Sequence, residues 1–195
     1  MRAEPVLGLA MLILASLAGP WAHKSPDKET LVTQGPPSVG AKAPDFTLPS
    51  SEGGTLSLSA LKGKVVVLYF YPKDNTPGCT REACSFRDER AEIAKRGAVV
   101  LGVSRDSLES HAKFTNRHNL NFPLLSDPDG TVLEAYGCWK PYSIFGRTAL
   151  GVNRSTFLID QEGVIRKIWR GVNVKGHDQD VLAAVDSLAP GNGRG

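Results

Sequence analysis

The sequence predicts a single α/β domain whose mixed β-sheet is flanked by helices, and three observations predict it. Val65 to Tyr71 (VVVLYFY) and Ala98 to Ser104 (AVVLGVS) are continuous apolar runs of strand length, as expected of strands covered on both faces. An amphipathic stretch from Pro77 to about Arg96 lies between them and supplies the helix of a β-α-β order. Farther along, Arg154 to Asp160 (RSTFLID) and Val164 to Trp169 (VIRKIW) flank Gln161-Glu162-Gly163, a hairpin signal that makes the sheet mixed.

Each segment has its own local reason. Val6 to Ala18 (VLGLAMLILASLA) is apolar throughout, follows Arg2, and ends in small Ser16 and Ala18 before Gly19, so residues 1–18 read as a secretory signal peptide. The run falls short of the roughly 18 residues that a spanning helix needs, which makes a retained anchor the weaker reading. His23 to Ser38 (HKSPDKETLVTQGPPS) is polar and proline-containing, without period, so residues 19–38 read as a flexible linker. Residues 39–188 hold the domain, and 189–195 form a disordered tail with nothing to bury. In the first helix Thr76 is an acceptable N-cap, Pro77 sits at N1, and Gly97 is placed to end it. Ser107 to His118 is a second helix, Phe122 to Leu125 a short strand, and Val132 to Tyr136 a short helix. Cys138 to Gly146 (CWKPYSIFG) reads as an aromatic loop, and Asp178 to Leu188 as the closing helix. That order is compatible with a thioredoxin-like architecture.

Composition narrows the function classes. With 41% apolar and 22% charged residues in 195, the chain has the material for one ordinary core. Gly 20 and Pro 13 together stay below the level that signals low-complexity disorder. A net charge of +3 without any block of Lys and Arg argues against a nucleic-acid or basic membrane surface. The four histidines are dispersed, and none has zinc-ligand spacing to a cysteine pair.

The chemistry concentrates in 74-DNTPGCTREAC-84, which places Cys79 and Cys84 inside the start of the first helix. Residues five apart in an α-helix have Cα atoms roughly 8.6 Å apart. A disulfide needs about 7 Å or less, so these two sulfurs meet only if the first turn and a half unwinds. Cys79 falls at N3, where orphan N–H groups and the positive end of the helix favour a thiolate. Thiolate formation alone achieves little. For a generic thiol, a drop in pKa from about 8.5 to about 6 gains about thirtyfold in anion and loses about tenfold in nucleophilicity. An effective enzyme must also aim donors at the atoms that gain charge. Thr76, the backbone N–H groups of Gly78 and Cys79, and the permanent charge of Arg154 are the candidates, although spacing alone does not bring Arg154 to Cys79.

The segment 71-YPKDNTPGCTREACSFRD-88 resembles the active-site signature of the peroxiredoxins, in the branch called bacterioferritin comigratory protein or peroxiredoxin Q. Its P-x-x-x-T-x-x-C pattern is met by Pro72, Thr76 and Cys79, and the likeness runs from 43-APDFTL-48, similar to that family's opening strand, through 153-NRSTFLID-160. The resemblance implies a thiol peroxidase without metal or flavin. Cys79 would attack hydrogen peroxide or an alkyl hydroperoxide and become a sulfenic acid. Thr76 and Arg154 would orient the peroxide, Pro72 would shield the sulfenic acid, and Cys84 would resolve it as an intrachain disulfide. Thioredoxin or a thioredoxin-like reductant would restore the thiols, and the branch implies a monomer. The mature form is expected in the periplasm, not inserted in the membrane; that compartment is oxidising, so a reductant has to be delivered there.

On the residues alone, each assignment has a competitor. Cys79 reads also as a small core hydrophobe, Cys84 as a buried free thiol, Arg154 as half of a surface ion pair, and Thr76 as a plain N-cap. Cys138 is a third cysteine that the two-cysteine scheme does not need. It is inert beside Trp139, a rival to Cys84, or a link between chains. Three rival functions remain: an exported thioredoxin-like disulfide oxidoreductase, which expects C-x-x-C, a copper-carrying assembly factor, and a redox-inert interaction domain.

Overall fold

A computed structural model describes residues 35–144 and 147–188. The signal peptide read at 1–18, most of the linker and the tail at 189–195 lie outside the described residues. In chain order the strands are β1 (Thr47–Pro49), β2 (Thr55–Ser57), β3 (Val65–Phe70), β4 (Ala98–Ser104), β5 (Leu124–Ser126), β6 (Trp139–Ile144), β7 (Arg147–Val152), β8 (Ser155–Ile159) and β9 (Ile165–Arg170). The helices are α1 (Pro77–Lys95), α2 (Leu108–His118), α3 (Thr131–Ala135) and α4 (His177–Asp186).

The central sheet has the order β5-β4-β3-β8-β9. β3, β4 and β5 are parallel neighbours, whereas β8 runs antiparallel to β3 and β9 antiparallel to β8, so the sheet is mixed as expected. The unbroken apolar run of β3 is explained by burial of all six residues. Val65, Val67 and Tyr69 face a core built with Ala83, Phe86 and Ile93 of α1 and Val181 and Val185 of α4. Val66, Leu68 and Phe70 face a second core containing Phe46, Leu133, Tyr136 and Phe157. Helices and loops therefore cover both sides of the sheet, the thioredoxin-like layering.

Local sequence sets the helix ends. Thr76 is extended (φ −79°, ψ 149°) and Pro77 follows at N1. α1 stops at Lys95, and Gly97 beyond it takes φ +72°, a conformation that glycine adopts without penalty. Ser107 caps α2 by accepting from the N–H of Ser110, and the left-handed Asn119 ends it.

Two segments differ from the sequence reading. Most of the stretch expected as an aromatic loop is β6, paired antiparallel with β7 from Trp139↔Val152 to Ile144↔Arg147, while residues 145 and 146 lie outside the described residues. Pro141 argues against a strand, yet a two-stranded ladder leaves one side of β6 unpaired, where a missing N–H costs nothing. The opening strand shrinks to Thr47–Pro49 and pairs with β2, whose three residues were too few to show a period.

The register makes a site. Parallel β4 and antiparallel β8 flank β3, so Phe70 pairs with Val103 on one side and Ser155 on the other. The carboxyl end of β3, where α1 begins, thus meets the start of β8. Close packing continues across the sheet at Gly102, where a Cβ would lie 2.7 Å from the Tyr69 hydroxyl oxygen and 2.8 Å from a Leu124 methyl. Gly102→Ala is expected to destabilise the domain by about 1–3 kcal/mol through overpacking. A urea midpoint that stays at the wild-type value would show that the sheet yields there.

Candidate active site

Cys79 sits in the first turn of α1, and its side chain is 1% exposed. The helix follows directly from the central strand through the loop 71–76, so the thiol stands at the carboxyl end of β3. Cys84 lies farther along the same unbroken helix and is half-buried; both cysteines are free thiols. Helix geometry therefore keeps them apart, with Cα atoms roughly 8.6 Å from one another.

Arg154 precedes β8 and reaches Cys79 because of the antiparallel register. Its Nη2 donates to the Cys79 sulfur at 3.2 Å, and its Nη1 pairs with Glu82 Oε2. Gly78 makes the approach possible, since a Cβ there would lie 3.3 Å from the same Nη2. Glu82 is buried, and its other oxygen, Oε1, has no hydrogen-bond partner. Burial pushes the Glu82 carboxyl up to about 7, against the opposing pull of Arg154. Burial would lower the pKa of Arg154, but Glu82 and Cys79 outweigh it and hold the guanidinium charged.

Thr76 occupies the N-cap position without capping: its hydroxyl donates to the Lys73 carbonyl at 2.9 Å. That proton is spent, so the oxygen has only acceptor capacity left for a ligand. Pro72 is exposed and borders a shallow depression with Lys73, Arg105 and Trp139. On the other side, a groove of about 660 Å³ runs past Gly78, Arg81, Cys84, Arg154, Asn173 and Lys175. Cys138 is fully buried, its thiol facing the Tyr136 carbonyl at 3.7 Å, and desolvation pushes its pKa up to about 11. At neutral pH it stays protonated, which favours the inert reading. Among the described residues no group of three His, Cys, Asp or Glu is arranged to hold a metal ion, and no helix is long and apolar enough to cross a membrane.

A buried thiol at a helix start, facing an arginine that is locked to a glutamate, is the geometry against which comparison with known proteins is informative. Residues 39–168 match the AhpC/TSA family. A putative peroxiredoxin of Coxiella burnetii is 56% identical over 144 residues, covering 74% of this chain and 95% of the relative. The chain belongs to the AhpC/TSA family. Within it, the relatives place this peroxiredoxin in the bacterioferritin comigratory protein, or peroxiredoxin Q, branch. The Bacillus subtilis peroxiredoxin of that branch is 50% identical over 151 residues, covering 77% of this chain and 96% of the relative. The solved Xanthomonas campestris peroxiredoxin Q superposes with a TM-score of 0.72 at 43% identity, over 74% of this chain and 92% of that one. A further structure from the same organism concerns the alkyl peroxide reduction activity of its bacterioferritin comigratory protein. This peroxiredoxin is accordingly a thiol peroxidase, and the disulfide oxidoreductase reading is not favoured.

Glu82 was missed by the sequence reading. A signal was present: Cys79, Glu82, Ala83 and Phe86 fall on one helix face at i, i+3, i+4 and i+7, and all are buried. An acid in the middle of an apolar stripe asks for a cation. Because its folded pKa is raised, the folded state holds a proton on Glu82 over a window in which the unfolded chain has lost it. That share of stability is complete below about pH 4.5 and disappears as pH rises through about 7. Relative to Glu82→Gln, the wild type is expected to lose on the order of 3 kcal/mol across that window. Denaturation midpoints for the two proteins, followed from pH 4.5 to pH 8, test this; parallel curves would contradict it.

Proposed function

We propose that this thiol peroxidase acts through Cys79 as the peroxidatic cysteine and Cys84 as the intrachain resolving cysteine. The observation that carries the reading is the Arg154 guanidinium 3.2 Å from the Cys79 sulfur at the start of a helix. The Cys79 thiolate attacks the terminal oxygen of hydrogen peroxide or an organic hydroperoxide. The S–O bond forms as the O–O bond breaks, sulfur is oxidised to sulfenic acid, and the leaving oxygen takes a proton and departs as water or alcohol. Arg154 is placed to stabilise charge that spreads from sulfur to both oxygens, and the Thr76 oxygen accepts the hydrogen bond of the peroxide O–H. The X. campestris relative's alkyl peroxide reduction supports the organic substrates.

Resolution requires α1 to unwind locally. The Cys84 sulfur then attacks the Cys79 sulfenic sulfur, the S–S bond forms, and water leaves. A thioredoxin-like dithiol reduces this disulfide and becomes oxidised itself; the groove beside Cys84 is open to it. Pro72, exposed at the mouth of the loop, is assigned to limit the access of solvent to the sulfenic acid. The protein works as a monomer, exported to the periplasm by residues 1–18. Mass analysis of the periplasmic form, beginning near Gly19 if the signal is cleaved, checks that assignment.

Rapid mixing of the reduced protein with hydrogen peroxide, with tryptophan fluorescence and thiol counts as readouts, tests the chemistry. The wild type is expected to oxidise fast and lose two thiols. Cys79→Ser is expected to react no faster than a free thiol, and Cys84→Ser to accumulate a sulfenic acid that dimedone traps. A disulfide formed in Cys84→Ser would make Cys138 the partner and overturn the assignment. Arg154→Ala is expected to slow oxidation by about a hundredfold to a thousandfold, the usual cost of one preorganised donor.

A further inference from the structure

Below the loop that joins β3 to α1 lies a polar cluster that the proposed mechanism does not use. Asp74 is 5% exposed and His111, on α2, is 0% exposed. His111 Nδ1 stands 2.9 Å from Asp74 Oδ2, and its Nε2 stands 3.3 Å from the Leu125 carbonyl of β5. The ring is thus held between the loop and β5, with the Tyr71 hydroxyl also 3.4 Å from Nδ1. Asp74 Oδ1 accepts from the Tyr71 hydroxyl at 2.7 Å, and Oδ2 accepts also from Ser110 at 2.8 Å. The backbone N–H of Asp74 donates to Asp106 at 2.9 Å, and Asp106 accepts in turn from the Ser104 hydroxyl. Burial would raise the Asp74 carboxyl, but hydrogen bonds from His111 and Tyr71, the His111 charge and the Ser110 bond outweigh it and hold it below the usual carboxylate range.

The neighbours of Asp74 give this cluster a mechanical meaning. Asn75, next in the chain, is left-handed at φ +59°, Thr76 is extended, and α1 starts at Pro77. Chain that is pinned on its side chain and its backbone is followed at once by a bend and then by the turn that carries Cys79. We propose that Asp74 and His111 form a positioning pair for the reactive thiol: they hold the loop so that Thr76 and the first turn of α1 stay in the reactive arrangement, and they are the fixed end about which that turn unwinds. The second half of this proposal rests on the assignment of Cys84 as resolving partner.

The two roles predict opposite effects on two steps. Loosening the pin disorders the arrangement that meets peroxide and eases the opening that lets Cys79 travel. A simple staple of the fold would not separate them. The experiment times both steps by rapid mixing in the wild type, in His111→Gln, and in Asp74→Ala/His111→Leu, which leaves no lone buried charge. In folded variants oxidation of Cys79 is expected to slow by about tenfold to a hundredfold, while disulfide formation from the sulfenic acid speeds up. Both steps unchanged, or both changed by one common factor, would overturn the proposal. A Cys84→Ser control keeps the two readings apart. If that variant still closes a disulfide, the resolving assignment fails, whereas the oxidation rates still judge the pin.

Discussion

The guanidinium of Arg154, donating from one nitrogen to the Cys79 sulfur and pairing through another with Glu82, is the contact from which the rest of the site takes its shape. A charge in so sheltered a place would be costly if left alone, and Glu82 offsets that cost while fixing the direction of the fork. The pairing is incomplete, because Glu82 keeps one oxygen without a partner. A second bond there would hold the glutamate more firmly in its charged form. As built, the site keeps its cation fixed and leaves its anion only loosely committed to its charge.

The helix that presents Cys79 answers two conflicting demands. For the encounter with peroxide it must be ordered, and for a bond to Cys84 it must open. The backbone of the first turn eases the conflict. Cys79, Ala83, Phe86 and Ile93 all sink into the core, but the first turn begins Pro77-Gly78, and glycine is the residue that a helix loses most easily apart from proline. Gly78 serves the closed form as well, because any side chain would crowd Arg154. One residue thus allows the arginine to approach and lowers the cost of letting the turn go.

Much of this was legible in the sequence, and the limits have physical reasons. β3, β4 and α1 announce themselves because strong periodicity and punctuation by Pro77 and Gly97 are local signals. The reach of Arg154 is not local: it depends on which strand pairs with β3 and in which direction. Spacing carries none of that information, and only the family resemblance pointed to it. Glu82 was visible as an acid on an apolar face but was not read. Asp74 and His111 carry no sequence signal of their partnership, since it is made by packing α2 against a loop. β6 was hidden by Pro141, whose bar against strands does not hold at an open edge.

The pairing of β3 with β8 also has a consequence for the order of synthesis. A ribosome delivers residue 79 long before residue 154, and strands so far apart in the chain pair late. A nascent chain that has been made only as far as β7 carries the cysteine without its arginine, and carries β3 with one edge still open. The parts needed for peroxide chemistry therefore come together only when β8 closes that edge. Completion of the sheet and arming of the thiol are one event, so a chain stalled or truncated before that point has the nucleophile but not the site.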